Sequence, residues 1–232
     1  MIHPGDIIES LLHYFFPHVC DLCGTDIITE YSCLCGRCLA ELPETGFEKL
    51  EGNPVERKFY GRLPVEQASA HLYFGKSSRV AELVHQVKYR SNRQLGLQLG
   101  KLMGNSLLLS GRFLPDIMIP IPLFNKRERS RGYNQSLLLC EGIAAYLNIP
   151  VRNDVILRPE HTETQTKKGR IERWKNIEGR FLVAEPEVIR GKHVLLVDDV
   201  ITTGATIESC GAEILKVNGT SLSITTLCVA YS

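Results

Sequence analysis

Short apolar runs alternate with longer segments that carry apolar residues every three to four positions. The short runs are typical of strands buried on both faces, and the longer segments predict amphipathic helices. The predicted strands cover residues 70–74, 116–119, 154–157, 194–197 and 221–230. The predicted helices cover residues 6–16, 77–90, 91–109, 133–147 and a segment from Thr206 to a stop at Asn218-Gly219. Strands that alternate with helices indicate an α/β fold with a mostly parallel sheet.

The strand at residues 194–197 leads into the most informative stretch of the chain. Two carboxylates, Asp198 and Asp199, follow it, and the small residues Thr-Thr-Gly-Ala-Thr at 202–206 precede the next helix. Peptide N–H groups at a helix start attract phosphate, and Gly204 lets the backbone approach the anion. Carboxylates accept hydrogen bonds from vicinal hydroxyls, so this stretch predicts a phosphate cradle beside a clamp for a diol. The alternative is a strand ending in two surface aspartates before a threonine-capped helix.

A second connection between a strand and a helix is basic. The strand at 116–119 runs into a Pro-x-Pro turn, and Lys126, Arg127, Arg129 and Arg131 follow before the helix near Tyr133. This loop can bind an anion or be a solvated basic turn. Two cations farther upstream, Lys88 and Arg90, can reach a phosphate, but cations favoured at a helix C-terminus explain them more simply.

Residues 158–180 form a polar stretch with seven arginines and lysines and the only tryptophan, Trp174. Such a segment inside a compact domain is a functional lid or a disordered loop. A lid over a phosphorylated sugar must be soluble when open and must bring cations to the ligand when closed. The tryptophan packs at the hinge of such a lid or stacks on a base.

Five of the eight cysteines lie between Cys20 and Cys38. Cys20-x-x-Cys23 and Cys35-x-x-Cys38 form two knuckles separated by eleven residues. Four thiolates at this spacing suit a closed, structural zinc site. Cys33 could replace Cys35 as a ligand, and a redox or disulfide cluster is the other interpretation.

Composition limits the function classes without choosing one. The chain of 232 residues is 44% hydrophobic and 23% charged, with a net charge of +1, which argues against a globally basic nucleic-acid binder. No apolar run approaches the roughly 18 residues of a membrane span, and no signal peptide is evident, so we expect a cytoplasmic protein without stable membrane insertion. We expect a helix and zinc module over residues 1–42, a linker over 43–64 and a larger domain over 65–232.

The motifs together resemble a known family. Residues 194–206 resemble the phosphoribosyl pyrophosphate (PRPP) motif of type I phosphoribosyltransferases, and the whole chain resembles the ComF family of bacterial competence proteins. The wider resemblance rests on the cysteine module and on motifs in chain order: Lys88-Tyr89, Pro120-x-Pro122, Arg131-Gly132-Tyr133-Asn134-Gln135, Arg158, Gln165, Arg173-x-x-Asn176 and Phe181.

The resemblance implies a type I phosphoribosyltransferase-like open sheet with a small N-terminal zinc module, and it implies roles for individual residues. Asp198 and Asp199 would hold the ribose hydroxyls, and the PRPP-binding positions are Val200, Ile201, Thr202, Thr203, Gly204, Ala205 and Thr206. The pyrophosphate loop would be Leu123, Phe124, Asn125, Lys126 and Arg127, with Arg131 in support. The flexible loop would contribute Gln165, Thr166, Lys167, Lys168, Arg170 and Arg173, and the zinc ligands would be Cys20, Cys23, Cys35 and Cys38.

Two functions fit these motifs and the family that they resemble. The first is transfer of a phosphoribosyl group from PRPP and Mg²⁺ to an acceptor that the sequence does not identify. The second is a PRPP or nucleotide sensor, or an adaptor for single-stranded DNA and protein partners. The resemblance implies a role in DNA uptake and natural transformation, with replication, recombination or competence proteins as partners.

Overall fold

The computed structural model describes residues 18–29, 32–76, 78–90, 92–159 and 181–230, without the side chains of residues 125–127. The chain divides into two compact units, Met1–Pro43 and Glu44–Ser232. The predicted helix at 6–16 and the predicted flexible loop at 165–173 lie outside the described residues, as does Trp174.

The described part of the first unit is built around the cysteines. One short helix, α1 (Gly36–Ala40), begins after Cys35, whose sulfur accepts a hydrogen bond from the N–H of Cys38. The Gly24 N–H donates to the Cys20 carbonyl at 2.8 Å, and the left-handed conformation of Gly24, with φ of 70°, redirects the chain after this turn. These two turns present the cysteines toward one another.

A four-stranded parallel sheet forms the centre of the second unit, and its strands are β1 (Ala68–Phe74), β2 (Ile117–Pro120), β5 (His193–Ile201) and β6 (Ser221–Ala230). The strands lie in the order β1-β6-β5-β2. A separate antiparallel pair consists of β3 (Ile156–Leu157) and β4 (Leu182–Val183). The helices are α2 (Pro54–Arg57), α3 (Arg79–Tyr89), α4 (Arg93–Ser110), α5 (Asn125–Arg131), α6 (Gln135–Leu147), α7 (Pro186–Ile189) and α8 (Ala205–Ile214). The open parallel sheet flanked by helices confirms the predicted fold class.

Alternation along β5 assigns its side chains to two layers. Val194 and Leu196 belong to a buried cluster that includes Ile207 and Ile214 of α8. Because successive side chains of a strand point to opposite faces, the buried Leu195 turns to the other face, and α6 contacts β5 and β2. Residues buried on both faces explain why the central strands read as continuous apolar runs.

The segment predicted as a linker contributes side chains to the core of the second unit. Residues 44–63 contain the 3₁₀ turn Phe47–Lys49 and helix α2, and the side chains of Val55 and Phe59 are fully buried in the core of the second unit. Asn53 organises the segment: its amide donates to the Ala68 carbonyl at 2.8 Å, and its side-chain oxygen caps α2. Glycines and prolines here mark tight turns between core residues.

Two boundaries near the predicted site also differ. β5 continues through the carboxylates to Ile201 because it stays paired with β6, with Asp198 opposite Thr226 and Val200 opposite Cys228. The predicted pyrophosphate loop at 123–127 becomes helical from Asn125, and α5 ends at Gly132 with φ of 78°. A polar helix without an apolar stripe shows no hydrophobic period, so the sequence pattern resembled a loop.

In the part of the chain that the structure describes, we find no helix with the length and apolar character needed to cross a membrane.

Candidate functional site

The carboxyl end of β5 carries the two predicted carboxylates. Asp198 continues the row of Val194 and Leu196, and Asp199 continues the row of Leu195, so their side chains leave the strand on opposite faces. Each carboxylate contacts a different residue of the chain, Ser136 for Asp198 and Lys88 for Asp199. A sugar diol could reach both groups only from the end of the strand, where the two faces meet.

The Asp198 carboxylate contacts the first turn of α6. Its Oδ1 accepts hydrogen bonds from the Ser136 hydroxyl at 3.2 Å and from the Asp199 N–H at 2.9 Å. Burial of this carboxyl, with the negative charge of Asp199 beside it, raises the pKa of Asp198 to about 7. Asp198 therefore exchanges a proton near neutral pH.

The Asp199 carboxylate forms an ion pair with Lys88. Lys88 Nζ lies 2.7 Å from Asp199 Oδ2, and both side chains are about one-fifth exposed, at 21% and 18%. The prediction of a solvated cation at the helix end does not describe Lys88, because its ammonium group pairs with Asp199. The sequence did contain a signal for its position: Lys88 continues the row of Val80 and Val84 at four-residue spacing, which is the buried face of α3.

A Thr/Gly turn over residues 202–204 connects β5 to α8 and leaves the start of that helix open. Gly204 has φ of 82°, and the residues that the structure describes provide α8 with no side-chain N-cap hydrogen bond. The nearest contact is a long one of 3.4 Å, in which the Ala205 N–H donates to the Thr203 hydroxyl. The side chains of Thr202, Thr203 and Thr206 are exposed. The first-turn N–H groups and these hydroxyls can therefore serve an anion.

A small cavity lies at this turn. It has a volume of about 240 Å³, part of it open to solvent, and it is lined by Asp198 and residues 200–207. All seven residues predicted to bind PRPP thus line one cavity together with the first carboxylate.

In the predicted pyrophosphate loop, the side chains of Leu123 and Phe124 are partly buried. The Arg158 guanidinium lies 3.9 Å from the centroid of the Phe124 ring and 4.9 Å from that of Phe181. Arg131 is held at the other end of α5, where it donates to Gln135 Oε1 at 2.7 Å and lies 5.3 Å over the Tyr89 ring. Cation–π contacts of this kind fix the direction of an arginine.

The four predicted zinc ligands form one cluster. The sulfur atoms of Cys20, Cys23, Cys35 and Cys38 all lie within 4.8 Å of one another, and Cys33 is outside this group. Although burial opposes it, N–H donors to the Cys20 sulfur, including Cys35 at 3.3 Å, lower the pKa of Cys20 to about 6. Closely grouped sulfurs with N–H donors fit tetrahedral zinc, so this cluster is compatible with a structural zinc module.

Magnesium is a different case, because the residues present do not form a magnesium cage. Of the two carboxylates, one is neutralised by Lys88 and the other has a raised pKa. Mg²⁺ keeps several waters and is commonly bound by one or two carboxylates together with substrate phosphates. Asp198 and Asp199 by themselves therefore do not provide a magnesium site.

Comparison with known proteins identifies the family. The model of the phosphoribosyl transferase domain matches residues 134–231, which include β5, the Thr/Gly turn and α8. Competence protein F of Haemophilus influenzae is 30% identical over 201 residues, which cover 83% of this chain and 76% of that protein. The chain belongs to the ComF family. The family predicted from the motifs is thereby confirmed.

Other similarities of this ComF family member are partial. DNA utilization protein YhgH of Salmonella typhi is 31% identical over 150 residues, which cover 63% of this chain and only 65% of that relative. Among solved structures, the glutamine PRPP amidotransferase of B. subtilis covers 57% of this chain, with 26% of its own length matched, 17% identity and a TM-score of 0.41. A structural similarity this low does not bear on ligand or activity.

Proposed function

We propose that this chain binds the ribose 5-phosphate part of PRPP at the carboxyl end of β5. The observation that supports the proposal best is the cavity that joins Asp198 to the Thr/Gly turn and the uncapped start of α8. The 5′-phosphate would accept hydrogen bonds from the N–H groups and hydroxyls of residues 203–206. The ribose hydroxyls would donate to Asp198 and Asp199.

The pyrophosphate would lie toward Leu123 and residues 124–127, and Mg²⁺, when bound with it, would supply positive charge. In a transfer reaction, a nitrogen nucleophile would form a bond to the anomeric carbon while pyrophosphate leaves with the bonding electrons. The residues would contribute positioning and charge stabilisation. We place this chemistry in competence and DNA use because relatives are named competence protein F and DNA utilization protein.

The test is calorimetric binding of ribose 5-phosphate, and of PRPP with and without Mg²⁺, to the full chain at pH 8. The Asp198→Asn/Asp199→Asn double variant should lose at least about tenfold in affinity, equivalent to about 1.4 kcal/mol, because the hydroxyls lose charged acceptors. Asp116→Asn is the matched control, because it removes a carboxylate at the amino end of β2, where Asp116 accepts from the His193 N–H at 2.8 Å. Equal binding by the double variant and the control would contradict the proposed site.

Turnover is tested separately from binding. Release of pyrophosphate from PRPP in the presence of bases, amines or ammonia would identify a transferase. Binding of PRPP without release would favour a sensor, and single-strand DNA binding that weakens steeply with salt would favour an adaptor.

A further inference from the structure

Arg62 precedes residues 134–231, which match the phosphoribosyl transferase domain, but it contacts the Thr/Gly turn of that domain. Arg62 Nη1 donates hydrogen bonds to the Thr203 carbonyl and to the Lys58 carbonyl, each at 3.1 Å. Its Nη2 forms an ion pair with Glu208 Oε2. Arg62 thus joins residues 58–63 to both sides of Gly204, across 141 positions of sequence.

The contact with Thr203 orients a peptide at the turn. In a trans peptide the C=O and the following N–H point in opposite directions. A carbonyl of Thr203 that faces Arg62 therefore turns the Gly204 N–H away from Arg62. This bond restricts the peptide that begins the anion-binding turn.

The contact with Glu208 concerns charge. Glu208 lies in the first turn of α8, where the helix dipole favours an anion. A phosphate bound at the same helix end would be repelled by this carboxylate. The Arg62 guanidinium compensates that charge, and the two side chains are 39% and 32% exposed, so water screens the pair only in part.

The same segment also supports the turn by packing. A Cβ atom on Gly204 would come within 3.2 Å of Phe59 Cε1, and Phe59 is fully buried. Phe59 and Arg62 are joined directly, since the Arg62 N–H donates to the Phe59 carbonyl at 2.9 Å. The segment from Phe59 to Arg62 therefore provides both the ring that packs against Gly204 and the cation that contacts Thr203 and Glu208.

From these contacts we infer that Arg62 is a positioning residue for the 5′-phosphate of a sugar phosphate. It orients the Thr203–Gly204 peptide and neutralises Glu208, so that the start of α8 accepts a dianion. The inference rests on the proposed function, because it assumes that a phosphorylated sugar occupies this turn.

The experiment measures ribose 5-phosphate affinity of the full chain by calorimetry at low salt. We expect Arg62→Gln to weaken binding about fivefold, the size expected for a partly exposed ion pair. Glu208→Gln in the Arg62→Gln background should restore most of the affinity, since it removes the uncompensated charge. Arg62→Lys, which keeps the charge, should bind more tightly than Arg62→Gln.

The matched control is Arg57→Gln, which removes an exposed cation from α2 in the same segment. Melting temperatures of all variants check that each remains folded. If the unaltered chain binds no ribose 5-phosphate, the proposed function fails. If it binds and Arg62→Gln equals Arg57→Gln, the role of Arg62 is overturned while the proposed function stands. Absence of recovery in the double variant overturns the charge compensation.

Discussion

At the residue scale, the carboxyl group of Asp198 lies in the proposed ligand site, and its ionisation lowers the stability of the native state. It lies at the end of β5, where a ligand can reach it, and burial raises its pKa to about 7. In the unfolded chain the same carboxyl has an ordinary, lower pKa, so the native state binds more protons between the two values. Native stability therefore falls as pH rises through this window.

We expect Asp198→Asn to stabilise the protein as pH rises, because asparagine keeps an acceptor for Ser136 without a charge. Its advantage in unfolding free energy should grow by about 1–3 kcal/mol between pH 5 and pH 8. Urea denaturation of both proteins at the two pH values measures this difference, with Asp116→Asn as the control for loss of one carboxylate. A constant difference across the range would contradict the raised pKa.

At the scale of elements, the position of α6 depends on a close contact with α4. Glycines at every fourth position of α4, Gly96, Gly100 and Gly104, face α6. A Cβ on Gly100 would lie 2.5 Å from the Leu139 carbonyl oxygen, and a Cβ on Gly142 would lie 2.4 Å from that of Leu97. The backbones touch, which fixes where α6 begins.

The start of α6 connects this packing to the site. Asn134 caps the helix through the Ser136 N–H at 3.0 Å, and its amide donates to the Ile121 carbonyl at 2.9 Å, just past the end of β2. Ser136 in turn donates to Asp198. A displacement of α6 would therefore move the hydrogen-bond donor of a proposed ligand-binding carboxylate.

We expect Gly100→Ala to destabilise the protein by about 2–4 kcal/mol, although alanine favours helix, because the two helices must separate. Asn105→Ala is the control, since it lies on the exposed side of the same helix and should be neutral or slightly stabilising. Chemical denaturation gives both values. A Gly100→Ala protein as stable as the parent would show that the close backbone contact is absent.

At the scale of the whole molecule, the two units differ in what stabilises them. The second unit buries a large apolar core around its sheet. The first unit, Met1–Pro43, has few residues with which to form a core, and units of this size commonly depend on a metal or on disulfides. Its described residues contain five cysteines, one more than the four ligands of a structural zinc site.

We expect the unaltered protein to bind one zinc ion per chain. The Cys33→Ser variant should retain this zinc and the Cys35→Ser variant should lose it or bind it more weakly, because Cys35 belongs to the four-sulfur cluster and Cys33 does not. Metal analysis of the purified proteins after dialysis against a mild chelator measures this. Cys33→Ser is the matched control, as it removes a buried thiol two positions away. Loss of zinc from Cys33→Ser together with its retention by Cys35→Ser would reverse the assignment.

The sequence by itself determined the local features of this protein. The apolar run at 194–197 specifies a buried strand, the small residues at 202–206 specify a turn, and the Cys-x-x-Cys knuckles specify a close group of sulfur atoms. These features were sufficient to predict the family and the α/β fold. They depend on backbone conformation and on spacing, which a linear pattern contains.

Only the tertiary structure decided which residues, distant in the sequence, contact these local features. The pairing of Lys88 with Asp199, the hydrogen bond from Ser136 to Asp198 and the contacts of Arg62 join residues separated by long stretches of chain. The burial of Val55 and Phe59, in the segment predicted as a linker, depended equally on the core they join. Such contacts depend on how the elements pack, and periodicity along a single sequence does not specify packing partners.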